Sequence, residues 1–174
     1  MSKKIVIVGG VAAGPKAACR LKRLQPDWEV TIVDQDSLIS YGGCGIPYYV
    51  CGDVSDEKEL RSTSFHMVRD ETFFDAAKGV KVLTRTRVLR IDRAGKEILV
   101  RNLESGDEYG LPYDKLLLST GAQPVDLPIP GKDLDGVFSI ANLHKAIEIK
   151  QRIAKGQVAK AVVVGGGAIG IEMA

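Results

Sequence analysis

The chain has 174 residues, 24 Lys and Arg against 22 Asp and Glu, a formal net charge of +2 and 45% apolar residues. That size carries one domain with a real core and little more, and the near-balanced charge predicts neither nucleic-acid nor membrane binding. No apolar run approaches the roughly 20 residues of a membrane span. The start, Met1-Ser2-Lys3-Lys4 running into Ile5-Val6-Ile7-Val8-Gly9, does not read as a secretory leader, so a cytoplasmic protein is expected.

In chain order, 4–8 is nearly all apolar and β-branched, as a strand buried on both faces requires. It meets the glycine turn Gly9-Gly10-Val11-Ala12-Ala13-Gly14. A helix follows with Pro15 in its first turn; Ala13, Ala17, Leu21 and Leu24 recur at helical spacing and are expected to face the sheet. Pro26-Asp27 stops it, and 29–34 reads as a second parallel strand ending on an acidic residue. The stretch 35–60 is loop-rich, with glycines at 42, 43, 45 and 52.

A helix is predicted around 67–78. Then comes a β-rich region: 80–91, a turn at 93–96, 97–102, a turn at Ser105-Gly106 and a short strand at 108–111, read together as an inserted antiparallel meander. Another buried strand at 115–119 is closed by Thr120-Gly121-Ala122. Pro124, Pro128, Pro130 and Gly131 mark an extended crossing segment, followed by a helix at 143–154. A strand at 160–164 enters Gly165-Gly166-Gly167-Ala168-Ile169-Gly170. The fold class expected is α/β: a Rossmann-like parallel sheet with an inserted meander, then the start of a second dinucleotide unit. The sequence reads as the N-terminal portion of a longer protein.

A glycine turn between a buried strand and a helix lets backbone approach a pyrophosphate, and the helix start offers free N–H groups to it. Gly165, Gly167 and Gly170 satisfy G-x-G-x-x-G. The first turn departs from it, because Val11 stands where the middle glycine is expected. Asp34, about 20 residues past the helix start, is placed where a carboxylate accepts ribose hydroxyls.

The most specific stretch is Ser40-Tyr41-Gly42-Gly43-Cys44-Gly45-Ile46-Pro47-Tyr48-Tyr49. Glycines on both sides leave the Cys44 sulfur approachable, and a helix starting just after it favours the nucleophilic thiolate. Cys19 reads as an inert residue of the first helix and Cys51 as structural, with a resolving role as the alternative. His66 and His144 read as surface residues, and no metal-ligand spacing occurs.

The sequence resembles the single-cysteine branch of the FAD-dependent pyridine nucleotide–disulfide oxidoreductases, which includes coenzyme A-disulfide reductases, CoA-dependent persulfide reductases, and NADH oxidases and peroxidases. The turn at 9–14, the cysteine stretch at 40–49, Ser119-Thr120-Gly121-Ala122-Gln123-Pro124 and the turn at 165–170 carry the resemblance, in family order across the whole chain. It implies FAD held at Gly9, Gly10, Ala12, Ala13 and Gly14, at Asp34 and Gln35, at Val88 beside the adenine, and at Thr120 and Gly121. It implies NADH or NADPH at Gly165, Gly167, Ile169 and Gly170, and Cys44 as the redox-active catalytic residue. The domains implied are an FAD domain at 1–120, a crossover at 121–158 and a truncated NAD(P) domain from 159. A homodimer through a C-terminal domain absent from this sequence is also implied.

Dithiol members use C-x-x-x-x-C, whereas Tyr49 stands five residues past Cys44 here. Peroxidase-type relatives carry a histidine where this chain has Ala12. CoA-using relatives bind substrate through positions matching Lys16, Arg20, Arg23, Ser40 and Gly43, although an asparagine usually stands at Gly43. Independently, Lys16, Arg20 and Arg23 form one basic stripe that could meet the phosphates of coenzyme A. The reading is an NAD(P)H-dependent reductase of CoA disulfide, or of CoA or other low-molecular-weight persulfides and polysulfides. The alternatives are an NADH oxidase and a flavoprotein reductase of a small electron-transfer protein.

Overall fold

A computed structural model of the chain describes residues 2–125 and 128–174. In order, its elements are β1 (Lys4–Val8), α1 (Ala13–Leu24), β2 (Glu29–Val33), a 3₁₀ turn (Gly43–Gly45), α2 (Ile46–Cys51), a second 3₁₀ turn (Glu57–Arg61), α3 (Glu71–Lys78), β3 (Lys81–Leu83), β4 (Thr86–Asp92), β5 (Glu97–Asn102), β6 (Glu108–Pro112), β7 (Lys115–Leu118), α4 (Leu143–Ala154) and α5 (Ala168–Met173). They gather into two compact units, 1–41 with 61–121, and 42–60 with 122–174.

The first unit is built on a parallel sheet of order β3-β2-β1-β7 and an antiparallel meander β4-β5-β6. Alternation along the strands assigns the two sheet faces. Ile5 and Ile7, Val30 and Ile32, Val82 and Leu117 pack with Ala18 of α1 and Phe74 of α3. Val6, Val33, Leu83 and Leu116 point the other way and pack with Ile98 and Val100 of the meander. Both faces are covered, which is why β1 reads as an unbroken apolar run. Ile7, Ile32 and Phe74 are at most 2% exposed, and burial of side chains this size contributes about 1.5–3 kcal/mol each.

Four sequence expectations are corrected. Of the stripe expected on α1, Ala17 and Leu21 pack against the sheet-side core beside the buried Gly14 and Ala18, but its two ends do not: Ala13 is exposed and Leu24 is 55% exposed. The small residues are innermost because the helix starts hard against the strand turn, and Leu24 lies in the last turn. α3 begins at Glu71, not 67. Asp70 caps it by accepting from the Phe73 N–H at 2.9 Å, while the preceding residues close a small loop through Thr63 and Met67.

The third correction concerns 80–91, which is not one strand. Lys81–Leu83 pairs in parallel with β2, and the chain turns at Arg85 (φ +46) before the meander begins. No glycine marks that turn, so the sequence shows no break. Fourth, 160–164 forms no strand among the described residues. Val162 and Val164 are 87% and 84% exposed, since no neighbouring strand pairs with them, and a parallel strand needs one on at least one edge.

The second unit carries the 3₁₀ turn and α2, with α4 and α5 packed against α2. α4 spans 143–154 as expected, capped by Asn142 accepting from the Lys145 N–H. No helix of the described residues is long and apolar enough to cross a membrane. Of the Pro-rich crossing segment, 126 and 127 lie outside the described residues.

Candidate functional site

The glycine turn at 9–14 is shaped by close approach. Gly9 has φ +111, and a Cβ there would sit 2.1 Å from the Ser119 carbonyl oxygen; a Cβ on Gly14 would sit 1.9 Å from the carbonyl oxygen of Gly9. Ser119, just past β7, donates its hydroxyl toward the carbonyls of Val8 and Gly9 at 3.0 and 3.2 Å. The turn is thus wedged between a neighbouring strand end and α1. α1 has neither a side-chain cap nor an acidic residue in its first turn, so its first N–H groups and the positive end of the helix are left for an anion.

Asp34 stands just past β2 and holds the turn from the other side. Its Oδ2 accepts from the Gly10 N–H at 2.5 Å and its Oδ1 from the Asp36 N–H at 2.8 Å. Each carboxylate oxygen keeps a further lone pair for a hydroxyl. Asp34→Ala removes both contacts at once. The expected result is dinucleotide binding weaker by about 10- to 100-fold, or roughly 1.4–3 kcal/mol, read by flavin fluorescence on titration into apoprotein.

A cleft of about 470 Å³ opens beside this carboxylate, lined by Gly9, Asp34, Gln35, Val88 and Thr120 among others. Five of the residues expected around one dinucleotide therefore share one cavity. The cleft wall is fixed by backbone: Thr86 N–H donates to the Asp34 carbonyl at 2.8 Å and Arg85 N–H to Asp36 at 3.1 Å. The β4–β5 pairing slips between Val88 and Arg90, leaving a bulge where the wall faces the cavity. Gln35 accepts from Arg87 Nε at 2.9 Å. Gly121 has φ +69 just beyond Thr120. A strand-end carboxylate, an uncapped helix start and a cleft beside them fit the ribose, pyrophosphate and adenine of FAD. Ser119 was not among the expected site residues; its place in the Ser-Thr-Gly-Ala segment is the signal in the sequence that marks it.

The second unit holds the cysteine. Cys44 is exposed and free of disulfide, in the 3₁₀ turn between Gly43 and Gly45, with α2 running on directly. Nothing lies within 4 Å of a Cβ placed on Gly43, so the glycine is not required by local packing. Gly45 is: its Cβ would meet Leu60 Cδ2 at 2.5 Å. Tyr49 is 6% exposed and Tyr48 is 54% exposed. Burial, then the nearby Glu57 and Asp56 carboxylates, push the Tyr49 phenol above its ordinary pKa. Cys51 is exposed at the end of α2, its thiol directed to the Tyr48 carbonyl at 3.4 Å. At about 1.5 Å of helical rise per residue, the seven steps from Cys44 to Cys51 place their Cα atoms roughly 10 Å apart, beyond the roughly 7 Å that a disulfide spans.

The turn at 165–170 repeats the backbone form of the first, without a neighbour against its leading glycine. Gly165 has φ +116, and a Cβ on Gly170 would sit 2.0 Å from the Gly165 carbonyl oxygen. α5 starts at Ala168 without a side-chain cap, and Ile169 is 60% exposed. On α1, Lys16, Arg20 and Arg23 are all exposed, forming the expected stripe. Ser40 is buried, with φ +54, and its N–H donates to the Gly10 carbonyl at 2.8 Å. His66 and His144 are exposed, and Cys19 is partly buried against the helix-side core. Among the described residues no group of three His, Cys, Asp or Glu could hold a metal ion.

Comparison with known proteins follows the same outline. The chain is 36% identical over 174 residues to the NAD(P)H coenzyme A polysulfide/persulfide reductase of Pyrococcus horikoshii, covering all of this chain and 37% of that protein. It is 33% identical over 171 residues to an NADH oxidase of Methanocaldococcus jannaschii, covering 98% of this chain and 37% of the relative. The solved structure of an NAD-dependent persulfide reductase from A. fulgidus superposes with a TM-score of 0.93 at 40% identity, over 98% of this chain and 31% of that one. The chain thus spans a little over a third of the length of the curated relatives it matches. A family model described as pyridine nucleotide-disulphide oxidoreductase matches residues 3–174, and FAD and NAD(P)H are typical of that family. With its FAD-type Rossmann-like sheet and inserted meander, the chain belongs to the pyridine nucleotide-disulphide oxidoreductase family.

Proposed function

We propose that the full-length protein is an NAD(P)H-dependent flavoprotein that reduces CoA disulfide, or CoA and other low-molecular-weight persulfides and polysulfides, through Cys44. The observation that carries this reading is the exposed Cys44 in a glycine-flanked turn, with the buried Tyr49 five residues on where a second thiol would stand. In this reading 1–120 forms the FAD domain, 121–158 the crossover and 159 onward the NAD(P) domain.

Gly9 to Gly14 and the start of α1 hold the FAD pyrophosphate, Asp34 the ribose, and the wall around Val88 the adenine. Thr120 and Gly121 meet the far part of the cofactor, while Gly165 to Gly170 receive the nicotinamide dinucleotide. When bound, FAD supplies a two-electron carrier between nicotinamide and sulfur. The Cys44 thiolate attacks one sulfur of the disulfide, the sulfur–sulfur bond breaks, and one thiolate leaves, so that a mixed disulfide joins Cys44 to the remaining half. Two-electron reduction of that mixed disulfide releases the second thiolate and restores Cys44. Lys16, Arg20, Arg23 and Ser40 bind the substrate's phosphates and polar groups, with Gly43 leaving room beside the sulfur.

The test is anaerobic NADH titration of the full-length protein followed by turnover with CoA disulfide. A long-wavelength band from a thiolate beside oxidised flavin, together with turnover of the CoA substrate, is expected. Turnover of oxygen alone, with the thiol passing through a sulfenate, would instead favour the NADH oxidase reading. Replacing Lys16, Arg20 and Arg23 together by alanine is expected to raise KM for CoA disulfide about tenfold or more, leaving KM for NADH unchanged. Equal KM values for both proteins would remove CoA from the reading.

A further inference from the structure

The segment carrying Cys44 is pinned at two places. Near the thiol, the Gly42 N–H donates to the Leu60 carbonyl at 2.8 Å, and the Leu60 side chain fills the space over Gly45. At the far end, α2 closes on Gly52 (φ +104), and the Val54 N–H returns to the Tyr48 carbonyl at 2.9 Å. There Lys150, reaching from α4 across 96 residues of sequence, donates to the carbonyls of Val54 and Ser55 at 2.7 and 3.1 Å. The same ammonium lies 3.9 Å from the centroid of the buried Tyr49 ring. One cation therefore holds two backbone carbonyls and the aromatic anchor of the helix that begins two residues after Cys44. A partly buried ammonium satisfied in this way is hard to displace, since its ring and carbonyl partners replace the water it has lost.

We propose that Lys150 is a positioning residue for the Cys44 thiol: it fixes α2 and the 52–55 turn, and through them the 3₁₀ turn from which the sulfur projects. The inference rests on Cys44 being the redox thiol. It predicts that loosening the clamp disturbs the sulfur without disturbing hydride entry, because Lys150 touches neither glycine turn among its recorded contacts.

The experiment uses the full-length holoprotein in a Cys51→Ser background, with Lys150→Met, Lys150→Arg and Tyr49→Leu. Four readouts are taken: the long-wavelength thiolate–flavin band, the rate of Cys44 alkylation by iodoacetamide mapped by mass, NADH-driven turnover of CoA disulfide, and NADH-driven reduction of an artificial electron acceptor. Lys150→Met is expected to lose about half or more of the band, to change the alkylation rate severalfold and to lower disulfide turnover about tenfold, with acceptor reduction and FAD content unchanged. Lys150→Arg, which keeps a hydrogen-bonding cation over the ring, is expected to restore the band, the alkylation rate and the disulfide turnover. Tyr49→Leu is expected to follow Lys150→Met with a smaller effect.

The proposal is overturned if Lys150→Met leaves band and alkylation at their original values, if acceptor reduction falls in step with turnover, or if arginine fails to rescue. Absence of the band in the parent protein would sink the redox-thiol reading itself, a result separate from any behaviour of Lys150.

Discussion

Cys44→Ser in the full-length protein is expected to lower turnover of CoA disulfide on the order of a thousandfold or more, while FAD content and NADH-driven reduction of an artificial acceptor stay near their original levels. The physical reason lies in leaving-group and nucleophile chemistry. A serine hydroxyl cannot attack a disulfide sulfur at neutral pH, nor can it form the mixed disulfide that the reaction requires. The substitution costs little structurally, since Cys44 is exposed and supports no core. Loss of turnover with intact acceptor reduction is therefore a chemical effect and not unfolding. The same variant should lose the long-wavelength band, because no thiolate remains to give it. Retention of disulfide turnover within tenfold of wild type would remove Cys44 from the mechanism.

Gly9→Ala is expected to destabilise the first unit by about 3 kcal/mol or more and to leave the purified protein largely free of FAD. Two penalties combine at this position. The backbone sits at φ +111, and the added Cβ would lie 2.1 Å from the Ser119 carbonyl oxygen, a backbone atom that cannot swing aside. Gly165→Ala supplies the internal control. It carries nearly the same φ, +116, but nothing lies within 4 Å of its Cβ. The difference between the two variants in chemical denaturation isolates the steric share. Equal, small effects would mean that the turn yields easily and that its close approach to Ser119 does not govern cofactor binding.

Much of the first unit was legible because its signals are local. β1, β2 and β7 announce themselves as apolar runs, since both sheet faces are covered. Asp34 was legible from its distance to the glycine turn, and α4 as the helix that follows the Pro- and Gly-marked crossing segment. What escaped depends on partners remote in sequence. The change of sheet between β3 and β4 turns on Arg85, a residue with no intrinsic preference for positive φ. Residues 160–164 have the composition of a buried strand, but composition cannot supply the neighbours a strand must pair with. The Ser119 contact with the first turn spans 110 residues, and the Lys150 clamp spans 95 to 96. No periodicity records such contacts.

The placement of Tyr49 bears on how enzymes of this kind can change their chemistry. Its phenol fills a buried site beneath Lys150, at the position a C-x-x-x-x-C pair would give to a second thiol. A Tyr49→Cys change would empty that site, leaving a cavity where the ring had been and an ammonium without its face, each destabilising. Acquiring a second sulfur thus demands at least one compensating change at Lys150 on α4, 101 residues away in the chain. The route from one thiol to two is epistatic: the first step is disfavoured unless the second has already been taken.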